Sequence, residues 1–159
     1  MTLIIRTARI DDAAGMSAVL REIIASNGRE RPADIDFIIF NYINNPSNIL
    51  CSVATDETAE ILGFQSLIHA REGNRFNVPQ GWAIIGTHIS PRAHRRGVGK
   101  ALFSKSRIAA EKANIEKIDA YIGADNIAAL SYYESMGFKT YRELDNVVQK
   151  AYSVCSDSS

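Results

Sequence analysis

The chain has 159 residues, 46% of them hydrophobic and 23% charged, enough to bury one core without disulfide or metal staples and too apolar for a disordered segment. Eighteen Lys+Arg balance eighteen Asp+Glu, so no global field draws the chain to nucleic acid or anionic lipid. No apolar run approaches the ~20 residues that span a bilayer, and the opening MTLIIRTARIDDA lacks the apolar core of a signal peptide, which predicts a cytoplasmic protein.

Residues 3–10 alternate as a first strand. Asp11 or Asp12 caps a helix reaching about Ser26, with Met16, Val19, Leu20, Ile23 and Ile24 in one apolar stripe, and Asn27-Gly28 stops it. A second helix fits 33–44, with Ile35, Ile38, Ile39, Tyr42 and Ile43 inward, and Asn45-Pro46 ends it. The period then changes: 49–55 reads as a strand, 56–58 as a turn and 61–70 as the returning strand. After a polar loop over 71–80, the run 81–90 is almost wholly apolar and reads as a central strand buried on both faces. Gly86 inside it predicts a bulge or the close approach of a ligand or another backbone. A helix over 97–113, a strand over 117–122, a helix over 128–136 and a last strand region from Phe138 complete the chain. This order predicts one α/β domain around a mixed sheet over 1–152, with a mobile polar tail over 153–159. Cys51 falls in an apolar strand run and Cys155 in the tail. Neither has a Cys or His at metal-ligand spacing, so no metal site is expected.

The segment ISPRAHRRGVGKALFSKSR carries the most information. It follows a strand and opens a helix, where unpaired backbone N–H groups collect anions. From Arg92 to Arg107 it holds six Lys or Arg and no acid, although the whole chain is neutral. Gly97 and Gly99 remove side chains that would block a phosphate from the backbone. Neither a G-x-x-x-x-G-K-[ST] loop nor a complete G-x-G-x-x-G is present, so ATP and dinucleotides fit poorly. Unpaired amides beside Gly86 would suit an extended, amide-bearing ligand that adds as a strand.

The run HISPRAHRRGVGKAL, followed 27 residues after Gly99 by NIAALSYYESMGF, resembles the GNAT acyl-CoA N-acetyltransferase superfamily, and more narrowly its amino-acid and phosphinothricin N-acetyltransferase branch. The resemblance implies a single GNAT-like domain with a mixed, mainly antiparallel central sheet flanked by about four helices. It implies acetyl-CoA as cosubstrate, its pyrophosphate on the [QR]-x-x-G-x-[GA] pattern at His94, Arg95, Arg96, Gly97, Val98 and Gly99, with Lys100 next. His94 departs from the usual Gln or Arg; the binding is mostly by backbone, so the departure costs little affinity. The pantetheine arm maps along Thr87, His88 and Ile89, with further contacts at Asn126 and Ser135. Asn126 can also cap the helix after it. Tyr132 and Tyr133 point to different helix faces, so one belongs to the core; the motif match assigns the place beside the thioester sulfur to Tyr133.

The implied reaction is direct attack of an amine on the thioester, with the backbone N–H of Ile89 or a neighbour as oxyanion donor. Tyr133 serves the departing thiolate as a hydrogen-bond donor; outright proton transfer from a phenol near ~10 to a thiolate near ~8.5 is about 2 kcal/mol uphill. The strand carboxylate of many relatives is absent from AIIG at 83–86, which leaves His88 as the nearest titratable residue, His69 second, or a water chain to Glu72 or bulk solvent. The acceptor is expected to be a small-molecule amine such as an amino acid, flanked by the first two helices and loop 71–80, with Arg29, Arg71 and Arg75 as carboxylate clamps. Acetylation of a protein N-terminus or lysine, and a catalytically weak acyl-CoA-binding module, are the competing readings. A homodimer paired through the C-terminal strand is a further expectation.

Overall fold

The computed structural model describes residues 2–154. Seven strands form one sheet: β1 (Ile4–Thr7), β2 (Asn48–Thr55), β3 (Ile61–His69), β4 (Ala83–Ile89), β5 (Lys117–Gly123), β6 (Lys139–Leu144) and β7 (Val147–Ser153). Their spatial order is β1-β2-β3-β4-β5-β7-β6. Every neighbouring pair is antiparallel except β4–β5. Four helices pack on this sheet: α1 (Ala13–Asn27), the short α2 (Ile35–Ile38), α3 (Val98–Lys112) and α4 (Ile127–Ser135). The fold is thus the single α/β domain that the sequence predicts. The last region, however, is a hairpin of two strands rather than one. Its two-residue turn, Asp145-Asn146, lacks the glycine that usually announces a hairpin. β7 lies between β5 and β6, so within that region β6 is the strand with an edge for the expected pairing across a dimer. β7 runs through Ser153 and Val154 is buried; Cys155 and the rest of the tail lie outside the described residues.

The two faces of the sheet carry different helices. On one, Met16, Val19 and Leu20 of α1 meet Val53 and Phe64, together with Cys51, Ile38 and Tyr42. On the other, Phe103 and Ala110 of α3 and Tyr133 of α4 cover Leu67, Ile85, Ile118, Ala120 and Ile122. α1 ends at Gly28, whose φ of 72° provides the left-handed cap that the sequence suggests. The second helix departs from expectation. Asp34 caps it by accepting from the Phe37 N–H, but after Ile38 the backbone widens into a π turn over Ile39–Ile43, closed by Asn44 N–H on the Ile39 carbonyl. The extra residue rotates the stripe: Ile38 and Tyr42 stay inward, while Ile35, expected inside, is 47% exposed.

Gly86 does not mark a bulge. The β3–β4 ladder keeps one register from Gly63↔Ile89 to His69↔Ala83, and the register breaks fall in the β2–β3 and β6–β7 ladders. What changes at Gly86 is the other side of β4, where pairing with β5 stops at Ile85↔Ala120.

Candidate active site

β4 and β5 pair only at Ala83↔Ile118, Ile84↔Asp119 and Ile85↔Ala120, then part. The Ser90 N–H donates to the Leu62 carbonyl, and the Ala70 N–H to the Trp82 carbonyl. In the unbroken antiparallel register between these pairs, residues 84, 86 and 88 exchange bonds with β3. Thr87 and Ile89 therefore turn their amides toward β5, which no longer pairs there. An open slot lined by backbone donors and acceptors results in mid-sheet without the expected bulge.

The basic glycine turn closes the end of this slot. After Pro91–Ala93, Arg95 takes a φ of 63° and Gly97 one of 76°, and α3 begins at Val98 with no side-chain cap and no acid in its first turn. The first amides of a 15-residue helix are left to an external acceptor. The two glycines have separate duties. A Cβ on Gly97 would meet nothing within 4 Å, so glycine serves the left-handed backbone there. A Cβ on Gly99 would fall 2.5 Å from Tyr132 Cε1 and 3.0 Å from Ile89 Cδ1, and the Tyr132 hydroxyl donates to the Gly99 carbonyl at 2.7 Å. Gly99 is small so that α4 can dock on α3, a duty that the phosphate-clearance reading did not include. Gly99→Ala should lower stability by about 1–3 kcal/mol through overpacking, read by chemical denaturation. Of the six basic residues, Arg92 is held by Glu22 and Glu60 and ties the turn to α1 and the β2–β3 hairpin. Arg107 pairs with Glu111 along α3. His94, Arg95, Arg96 and Lys100 are exposed around the helix start, while Val98 and Gly99 are buried.

A buried polar chain backs the slot on the α3–α4 face. The Ser106 hydroxyl donates to Gln65 Oε1 at 2.6 Å, and Gln65 Nε2 donates to Thr87 Oγ1 at 2.9 Å and to the Tyr132 hydroxyl at 3.2 Å. Thr87 Oγ1 lies 2.8 Å from the Tyr133 hydroxyl. The neighbouring tyrosines thus serve one network, although Tyr133 is also a core residue, packed edge-on against Phe138. Burial pushes the Tyr133 phenol well above its ordinary range, against the Thr87 hydrogen bond that favours ionisation. Asn126 caps α4 by accepting from the Ala129 N–H, and exposed Ser135 donates to the Tyr132 carbonyl. Gln65 escaped the sequence reading, although a lone amide inside ILGFQSLI is a signal of a buried polar site.

His88 looks to the other face. Its ring lies 4.8 Å from Phe64 and 5.6 Å from Tyr42, with Arg31 Nη1 3.4 Å from Nδ1. Desolvation first, and the Arg31 charge second, hold its pKa down to about 3. The imidazole is therefore neutral but a weak proton acceptor. Glu72 is exposed in a turn of loop 71–80. Of the expected clamps, Arg29 is ion-paired to Asp125 near Gly123, Arg71 donates to Ser47, and Arg75 lies over the Phe76 ring. Arg31 was not among them.

A second polar cluster anchors loop 71–80. Asp119, fully buried on β5, accepts from the Tyr141 hydroxyl at 2.5 Å and from Gln149 Nε2 at 3.0 Å, and its Oδ1 has no partner. Arg142 donates to the Phe76 and Asn77 carbonyls, which pins the loop. Desolvation raises the Asp119 carboxyl above its ordinary 3.8, against the two hydrogen bonds. A raised folded value means the native state holds the proton more tightly. Asp119 therefore contributes stability below about 3.8, and that contribution disappears as pH rises through the raised value. Asp119→Asn keeps a carbonyl acceptor and cannot ionise. Denaturation at pH 4 and pH 7 should show it losing less stability than the parent across that interval.

Among the described residues no helix is long and apolar enough to cross a membrane, and no three His, Cys, Asp or Glu side chains gather as a metal site. A slot of backbone amides between parted parallel strands, ending on an uncapped basic helix start, defines a cleft for a long amide- and phosphate-bearing molecule. Comparison with known proteins agrees: the profile of the Acetyltransferase (GNAT) family matches residues 17–138, and the chain belongs to that family. It is 38% identical over 91 residues to a mycothiol acetyltransferase of Renibacterium salmoninarum, a stretch covering 54% of this chain and 25% of that protein. The chain thus spans about a quarter of that relative's length. A GCN5-related N-acetyltransferase from Kribbella flavida superposes with a TM-score of 0.79 at 17% identity, covering 95% of this chain and 97% of that one. A phosphinothricin acetyltransferase from Sinorhizobium meliloti, solved with AcCoA, gives 0.76 at 19%, covering 96% and 89%.

Proposed function

We propose that this chain transfers the acetyl group of acetyl-CoA to the primary amine of a small molecule, an amino acid or analogue. The observation that carries the reading is the pairing of two features on one segment: the Thr87 and Ile89 amides that β5 leaves unpaired, and the uncapped start of α3 at Val98. The strand amides suit the two amides of a pantetheine arm, and the helix start with Arg95 and Lys100 suits a pyrophosphate. Asn126, the cap of α4, and Ser135, its last residue, are the further coenzyme contacts in this reading.

In this reading the Ile89 amide, or that of Thr87, accepts the charge growing on the carbonyl oxygen as the amine adds. The N–C bond forms and the C–S bond breaks; the Tyr133 hydroxyl donates a hydrogen bond to the leaving thiolate. The amine's proton passes to solvent water, because neutral His88 has too low a pKa to hold it. An acceptor that enters as the free amine needs no stronger base. The phosphinothricin acetyltransferase likeness favours a small amino-acid acceptor, and the mycothiol acetyltransferase likeness favours a small-molecule amine.

The test is a thermal shift with acetyl-CoA, CoA and ATP at one concentration, followed by thiol release across an amine panel. Stabilisation by both coenzyme A species but not ATP, with thiol released by a small amine, supports the reading. Binding without release by any small amine or peptide would leave a binding module instead.

A further inference from the structure

Arg31, like Arg71 and Arg75, meets no acid among the described residues, and of the three it is the one seated on Tyr42 and His88. Its Nη2 donates to the Tyr42 hydroxyl at 2.8 Å and its Nη1 lies 3.4 Å from His88 Nδ1. Among the described residues no carboxylate comes within ion-pair distance of it, whereas Arg29 is paired to Asp125 and Arg92 to Glu22 and Glu60. Both partners of Arg31 are neutral: burial raises the Tyr42 phenol, and His88 stays uncharged. A full positive charge is therefore held in one place by groups that do not neutralise it. Surface arginines that are merely solvated lack such a mount.

The mount is rigid. Tyr42 packs at 5.2 Å on Phe64 and 5.6 Å on His88, and Phe64 at 4.8 Å on His88. The π turn of the second helix is what turns Tyr42 into this triad. A guanidinium has five N–H donors in a planar fork, and at most two are engaged here, so a carboxylate can still be gripped by two parallel bonds. The second loop guanidinium, Arg75, acts on the same Tyr42 and adds to the positive field. Arg31 also lies against the side chain of His88, whose chain neighbours Thr87 and Ile89 carry the amides that face the slot.

We infer that Arg31 binds the α-carboxylate of an amino acid whose α-amine is the nucleophile, and that it sets the acceptor class of this site. The inference rests on the acetyl-transfer reading and narrows its substrate. Amine and carboxylate stand on one carbon in such a molecule. Seating the carboxylate on Arg31 therefore holds the amine over the β4 backbone, within a side chain's reach of the slot. Aliphatic amines, amino-acid amides and peptide amines acylated through their carboxyl lack the group that Arg31 holds.

The experiment measures thiol release from acetyl-CoA with the twenty amino acids, their primary amides and the matching decarboxylated amines. The expected result is a kcat/KM for the best amino acid about a hundredfold above its amide, carried by KM. In Arg31→Met that ratio should collapse toward one, and Arg31→Lys should restore part of it, which a folding defect would not do. Equal use of acid and amide by the parent, or an unchanged ratio in Arg31→Met, overturns the inference while leaving the acetyl-transfer reading intact. Absence of thiol release with every amine, despite coenzyme A binding, overturns both.

Discussion

Gly97→Glu is expected to lower the affinity for acetyl-CoA and CoA by about a hundredfold or more while the protein stays folded. Nothing lies within 4 Å of the Cβ that the change introduces, so the only folding penalty is a side chain at a φ of 76°. That penalty is roughly 1–2 kcal/mol. The ligand penalty is larger. A carboxylate at the helix start competes for the same first-turn amides and repels the pyrophosphate, and each charge-assisted hydrogen bond lost is worth about 1.5–3 kcal/mol. Gly97→Ala separates the two effects, because it carries the backbone strain without the charge and should retain most of the affinity. Calorimetric titration of both variants with CoA makes the comparison. If Gly97→Glu bound as tightly as the parent, the start of α3 would not be the pyrophosphate site. Gly99 is the wrong position for this test, since any side chain there collides with Tyr132 and mixes a docking defect into the result.

The same pair of glycines shows what the sequence could and could not convey. Both stand in one motif and invite one explanation, yet Gly97 answers to a dihedral angle and Gly99 to a tyrosine 33 residues away. The helix stripe of α1, the alternation of the first strand and the Asn27-Gly28 stop were legible because each depends on residues a few positions apart. The π turn was not, because its extra residue is favoured by where Tyr42 lands, on Phe64 and His88 from two other strands. Gly86 predicts a bulge or the close approach of a ligand or another backbone; there is no bulge, and Gly86 is the point where β4 loses its β5 partner. A strand's own residues say little about when its neighbour leaves. The resemblance marks the proposed coenzyme side, where binding would fall on a contiguous loop and strand. The proposed acceptor side draws on the α1–α2 connection, the π turn, β3 and β4, and no local pattern gathers Arg31, Tyr42, Phe64 and His88. Gln65 and Asp119 did leave a trace, the one as the lone side-chain amide and the other as the lone carboxylate of a largely apolar strand. Read for that feature, ILGFQSLI and KIDAYI would have pointed to both buried networks.

Tyr133→Phe should slow turnover roughly ten- to a hundredfold at saturating acetyl-CoA and acceptor, without abolishing it. The environment of the hydroxyl defines the role. Burial raises the phenol above the ordinary ~10, so giving its proton outright to a thiolate near ~8.5 is more than about 2 kcal/mol uphill. A neutral donor remains, and one hydrogen bond to a leaving group that charges only in the transition state accounts for one to two orders of magnitude. Thr87 Oγ1 accepts from Gln65 and can give its own proton to the Tyr133 oxygen; in the proposed role it does so, and the Tyr133 proton faces the slot. The phenylalanine variant removes one hydroxyl and keeps the ring against Phe138, so its stability should fall by only about 1 kcal/mol. Steady-state kinetics with kcat and KM resolved is the measurement, and the loss belongs in kcat. An unchanged kcat would remove Tyr133 from the chemistry and leave it a core residue. A loss beyond about ten-thousandfold would make it the proton donor, which requires coenzyme binding to lower its pKa. The alkaline limb of the pH–rate profile separates these outcomes. A neutral donor with a raised pKa produces no fall in rate between pH 8 and pH 10, whereas a true acid brought down to the thiol's range would produce one.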